Sequence, residues 1–156
     1  MTNPKTIALA SFRIIESGDE ELAERIIAPE FVNDEADDDP DDTDRQLQGP
    51  AGFLATSRWL RSAFSELRFE HEHTLAEGDT VLAVTTMTGT HSGVFNSIQP
   101  TGIPIRHKQV HIFALADGRI TRHRAVRDDL GLLLQLGWNP TGGHQDPRDH
   151  ESTPPQ

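Results

Sequence analysis

The hydrophobic pattern of this chain changes period once, near residue 67, and that change limits the architectures open to it. Before it, apolar residues recur at helical spacing: Ile7, Ala10 and Ile14; then Leu22, Ala23, Ile26 and Ile27; then Phe53, Trp59, Leu60, Ala63 and Phe64. After it, Leu67, Phe69, His71, His73 and Leu75 alternate with Arg68, Glu70, Glu72 and Thr74, the two-residue period of a strand. The spacing predicts helices over 5–17, 20–28 and 50–63. Gly18 stops the first, Ser17 or Asp19 caps the second, Pro29 ends it, and Pro50 opens the third. Strands follow over 67–76, 80–91, 105–116 and 120–127, with turns at "EGD" 77–79 and "ADGR" 116–119. A leucine-rich run from Leu130 reads as a last short helix. Helices followed by hairpin-linked strands give an α+β fold, a curved antiparallel sheet closed by the N-terminal helices around a pocket. Residues 1–137 form one domain, and the Pro-, Gly- and charge-rich 138–156 reads as a flexible tail.

Charge and composition remove several functions. Fourteen Lys and Arg stand against 25 Asp and Glu, a net charge of −11, which argues against nucleic acid and anionic membranes as partners. Most of that charge sits in "DEADDDPDDTD", 34–44, which reads as a solvated loop rather than a calcium site, since it has no turn glycine and no closing glutamate. Without cysteine there is no disulfide, thiolate metal site or Cys nucleophile. No leader and no ~20-residue apolar span is evident, so a cytoplasmic location is expected. Dinucleotide, P-loop and Gly-x-Ser-x-Gly motifs are missing, which favours chemistry without a cofactor.

Six stretches, in order, carry a family resemblance: "GDEELAERIIAPEFVN", "AFSELRFEHEHTLAEGDTVLAV", "GTHSGVF", "PTG" at 100–102, "DGRI" at 117–120 and "RDDLGLLLQLG". Together they resemble the SnoaL-like polyketide cyclases, or ester cyclases, of the nuclear transport factor 2-like superfamily. The resemblance implies a cone-shaped sheet and cofactor-independent, aldol-type ring closure on a polyketide-like ester or other hydrophobic carbonyl compound. It also implies a homodimer formed through the outer sheet face. The family's acid/base aspartate falls on Asp128, leaving Asp129 as the expected N-cap of the last helix. Three positions depart from the family pattern: Arg124 replaces a tryptophan, Asp34 a histidine, and Ala114 an arginine.

The residues themselves suggest the rest of the site. His107, Gln109, His111 and Phe113 share one strand face; His111 is expected to donate to a substrate carbonyl, with His107 and Phe113 beside it. Asp128 shares parity with Ile120, Arg122, Arg124 and Val126, so a pocket on that face would hold Asp128 and offer Arg124 to an acidic substrate group. His91 in "GTHSG", Asp34 and Trp59 complete the binding candidates. His71 and His73, read as projecting from one strand face, could chelate a metal but have no third ligand fixed by spacing, so no metal is expected. Two other readings remain open here: a ligand-binding protein of the same fold, and a metal-dependent enzyme built on His71 and His73.

Overall fold

The computed structural model describes residues 3–36 and 43–144. Helix α1, Pro4–Ser17, starts at Asn3, whose side chain accepts from the Lys5 N–H, and ends at Gly18 in the left-handed conformation, φ 72°. Helix α2, Glu20–Ile26, is capped by Asp19, and α3, Pro50–Ala63, begins with proline at its first turn. These helices form one layer on the sheet. The Ser57 hydroxyl of α3 lies within 3.0 Å of the Ile14 and Ile15 carbonyls, and Glu16 of α1 accepts from the Phe69 N–H at 2.9 Å. The core between the layers holds Phe31, Phe64, Phe113, Ile14, Ile27 and Ile120, each at most 2% exposed. Burying one such side chain stabilises by roughly 1.5–3 kcal/mol, more than any single cap or propensity term.

The sheet comprises β1 (Ile27–Asn33), β2 (Phe64–Glu77), β3 (Thr80–His91), β4 (Pro104–Ala116) and β5 (Arg119–Arg127) in the order β1-β5-β4-β3-β2. It is curved and mixed rather than wholly antiparallel, because β1 runs parallel to β5, and it stays open rather than closing into a barrel. Strand β1 departs from the expected helix over 20–28, which ends at Ile26. Pro29 reads as a stop in sequence, yet on an edge strand its missing N–H deprives no neighbour of a bond.

Two bulges decide which side chains face inward. Between β4 and β5, Ala114 opposes Arg122 and Leu115 opposes Ile120, so Thr121 is an extra residue. Ile120 is therefore buried, while Arg122, Arg124 and Val126 beyond the bulge lie on the outer face and His123, Ala125 and Arg127 turn inward. Between β2 and β3, His71 opposes Thr85 and His73 opposes Val84, so the two histidines project to opposite faces instead of one.

Helix α4, Asp129–Gln135, follows β5, and its N-cap is Asp128, whose Oδ1 accepts from the Gly131 N–H at 2.9 Å. The cap is thus the first aspartate of the pair, not Asp129. Asp128→Ala is expected to cost about 1 kcal/mol of stability, read as a lower urea midpoint; an unchanged midpoint would mean that another group holds the helix start. The chain after α4 forms a small hairpin of β6 (Trp138–Asn139) and β7 (Gly143–His144) where a flexible tail was expected. Most of the acidic loop, 37–42, and the tail from 145 lie outside the described residues.

Candidate functional site

Because β4 alternates strictly, His107, Gln109, His111 and Phe113 all point toward the helices, as expected, and all four are buried. The Asp117-Gly118 turn, both residues at positive φ, folds β5 back so that His123 opposes Phe113 and Arg127 opposes Gln109. Strand β1 brings Asn33 alongside His123. Between this floor and helices α1 and α3 lies a cavity of about 390 Å³, the size of a small-ligand site. Its apolar wall is aromatic, with Phe12, Phe53, Trp59, Phe69, Phe95 and Phe113. The Arg45 guanidinium lies 4.1 Å over the Trp59 ring.

The polar side chains of the floor form one file. Asn33 Oδ1 is 2.9 Å from His123 Nδ1, and His123 Nε2 is 2.8 Å from His111 Nδ1. His111 Nε2 is 2.6 Å from Gln109 Oε1, and Gln109 Nε2 is 3.1 Å from His107 Nδ1. At the end of the file His107 Nε2 is 3.1 Å from Asp129 Oδ1, but without the alignment of a hydrogen bond. Asp129 lines the cavity as well, although its carboxylate is 72% exposed. Glu35, also on the cavity wall, accepts from the Ala125 N–H and pairs with Arg127 at 3.3 Å.

Burial sets the electrostatics of this file. It pushes His123 down to about 3, with Arg127 adding repulsion and Asp34 opposing it. Burial likewise takes His111 well below its ordinary value, helped by His123 and Arg127. His107 is also lowered by burial, partly offset by the attraction of Asp129 and Asp128. All three imidazoles are therefore neutral near pH 7, and one of them, His107, has an unbonded nitrogen beside a carboxylate.

The residues read from sequence divide accordingly. His107, His111, Phe113 and Trp59 line the cavity. Asp128 does not; it caps α4. Arg124 lies on the outer face of the sheet, and Asp34 is held just past β1 by a two-pronged ion pair with Arg122 at 2.6 and 3.1 Å. His91 is fully buried behind Phe64, where Nδ1 meets the Thr101 hydroxyl at 3.0 Å and anchors the 101–103 loop to β3. His71 packs on Phe12, 4.6 Å between rings. Among the described residues no group of three or more His, Asp or Glu is arranged to hold a metal ion, and no helix is long and apolar enough to cross a membrane. Asn33, Glu35, His123, Arg127 and the cavity position of Asp129 were not anticipated. Hairpin register counted from the Asp-Gly turn would set Arg122 opposite Phe113 and Val126 opposite Gln109; the extra residue Thr121 shifts the pairing by one and brings in His123 and Arg127, so no local signal announces them.

A family model described as SnoaL-like polyketide cyclase matches residues 5–136. The chain belongs to that family. Within it, the aklanonic acid methyl ester cyclase DnrD of Streptomyces peucetius is 37% identical over 93 residues, 59% of this chain and 64% of that enzyme. The nogalonic acid methyl ester cyclase of Streptomyces nogalater is 36% identical over 90 residues, 57% of this chain and 67% of that enzyme. The match thus spans less than two thirds of the Streptomyces peucetius enzyme. Among solved structures, IdmH of Streptomyces antibioticus superposes with a TM-score of 0.72 at 26% identity, over 87% of this chain and 99% of that one. TsrD of Streptomyces laurentii gives the same TM-score at 24% identity, over 85% and 92%. This SnoaL-like chain therefore shares the fold of these structures, with β4 and the bulged β5 carrying the cavity floor.

Proposed function

We propose that this SnoaL-like chain closes a ring within a polyketide-like ester by an intramolecular aldol-type reaction, with His107 as the base. The observation that carries the reading is His107, a residue on the wall of an aromatic-lined cavity, whose buried Nε2 lies 3.1 Å from the Asp129 carboxylate with no hydrogen-bond partner. Neutral at rest, His107 would take the proton from a carbon next to a carbonyl, and Asp129 would stabilise the imidazolium so formed. The substrate's own conjugation spreads the enolate charge. The enolate carbon then bonds to a second carbonyl carbon, whose oxygen takes the proton back from His107, so the product is an isomer of the substrate. The aromatic wall folds the substrate so that the two carbons meet, a form of proximity worth ~7–11 kcal/mol at best.

Here the acid/base role expected of Asp128 passes to His107 with Asp129, because a carboxylate engaged in a helix cap on the surface cannot reach a substrate in the cavity. His111 has both ring nitrogens engaged, so its proposed part is to hold the file rather than to donate to a substrate carbonyl.

The relatives' names suggest the probe, aklanonic acid methyl ester. Incubation should give a product of unchanged mass and altered chromatographic mobility. Asp129→Asn should slow it about tenfold, the effect of ~1.4 kcal/mol in the barrier, while Asp128→Asn should stay within about twofold. Ester bound and recovered unchanged would instead favour a ligand-binding protein, and the reverse order of the two aspartate variants would return the acid/base role to Asp128.

A further inference from the structure

The polar file has a direction, set at the end farthest from His107. Asn33 Oδ1 accepts the Glu35 backbone N–H at 3.1 Å, and a backbone N–H can only donate. The atom facing His123 Nδ1 is therefore an oxygen, and it demands a proton from His123. From this we infer that Asn33 fixes His107 as the Nδ1–H tautomer, acting through His123, His111 and Gln109, and so leaves Nε2 without a proton beside Asp129. For catalysis the inference rests on the proposed function; the tautomer itself does not.

Each contact in the file holds one proton, and each neutral imidazole supplies one. With Nδ1–H of His123 committed to Asn33, its Nε2 is a lone pair, so His111 must donate from Nδ1 at 2.8 Å. His111 Nε2 is then a lone pair and must meet a donor. Gln109 thus turns its Nε2 toward His111 and its Oε1 toward His107, reversing the two amide atoms, which are nearly alike in size and ordered only by the bonds they make. The reversal gives up a 3.8 Å contact to the Met87 sulfur, a weak acceptor. His107 now faces an oxygen at 3.1 Å with Nδ1 and must donate there. Its Nε2 carries no proton.

The opposite amide orientation puts the lone pairs of His111 and His123 against each other at 2.8 Å, unless a further proton makes one an imidazolium. Burial and Arg127 both oppose that charge. The opposing pull comes from Asp129, which would favour a proton on His107 Nε2. That carboxylate is mostly exposed and misaligned, whereas the half-buried Asn33 oxygen meets buried His123 at 2.9 Å, so the Asn33 end prevails. Asn33 is in this sense a positioning residue for a base four side chains away.

The test is a long-range proton–nitrogen NMR correlation on the ¹⁵N-histidine-labelled resting protein near pH 7, without substrate. His107 should show a protonated Nδ1 and a bare Nε2, with a tautomer ratio of at least about tenfold, the scale of one unmet buried hydrogen bond. Asn33→Leu should invert that ratio because Asp129 is then unopposed. Should Asn33→Leu fail to fold, His123→Phe interrupts the file at its second member and should invert the ratio likewise. A protonated Nε2 in the unaltered protein, or an unchanged tautomer in folded Asn33→Leu, would overturn the relay. The Nδ1–H form in a protein that converts no ester counts for the relay and against the cyclase reading.

Discussion

His107→Phe is expected to lower the turnover of a polyketide-type methyl ester by about 10²–10⁴-fold, the usual contribution of a positioned general base. Phenylalanine keeps the ring volume in a site only 4% exposed, so the cavity wall and the fold should survive while the imidazole nitrogen beside Asp129 is lost. Ligand affinity should change little, because the aromatic residues that fold the substrate are untouched. The expected pattern is a fall in kcat with a nearly constant KM. Residual activity should remain, since proximity in the cavity does not depend on the base. Stopped turnover assays on protein with a verified unfolding midpoint would measure this. A loss under about threefold would remove His107 from the chemistry.

Acidification from pH 6.5 to 4.5 should cost the fold roughly 2–5 kcal/mol, well before its carboxylates are neutralised. The cause is the buried pair His111 and His123. His123 has a folded value near 3, against an unfolded value near 6.5, and His111 is shifted in the same direction. Between those limits the unfolded chain binds more protons than the folded one, so stability is fully present above about 6.5 and is lost as pH falls toward 3. Each fully titrating histidine contributes up to ~1.4 kcal/mol per pH unit. The exposed carboxylates of Asp34 and Glu70, lowered by Arg122 and Arg106 respectively, act in the same sense at lower pH and are screened by water. Urea midpoints across pH 4.5–7 should therefore slope steeply, and His123→Gln should flatten that slope. A flat profile in the unaltered protein would show that the pair is not buried neutral.

Much of this architecture is legible in the sequence because periodicity reports directly on burial. The helices 4–17 and 50–63, the four long strands and the inward face of β4 follow from spacing alone. The failures share one physical cause. A two-residue period carries a parity, and one extra residue reverses it without any mark in composition. Counting from buried Ile120 placed Arg124 and Asp128 in the pocket; Thr121 moves Arg124 to the outer face and leaves Asp128 at a helix cap. Glu72 does the same to His71 and His73. The Asn33 contact was out of reach for another reason: β1 pairs in parallel with a strand about ninety residues later, and no local pattern announces a partner at that distance.

The Thr121 bulge also bears on how such a site can change its chemistry. Beyond it Arg122 and Arg124 face outward, while His123, Ala125 and Arg127 face inward. Deleting that one residue, with the hairpin turn unchanged, would rotate the alternation and exchange the two sets. Two outward cations would then line the floor where a neutral imidazole now meets Asn33, and the cavity would suit an anion. A lineage carrying this strand thus stands one codon-length deletion from a differently charged pocket, with no substitution needed at any position that touches the ligand.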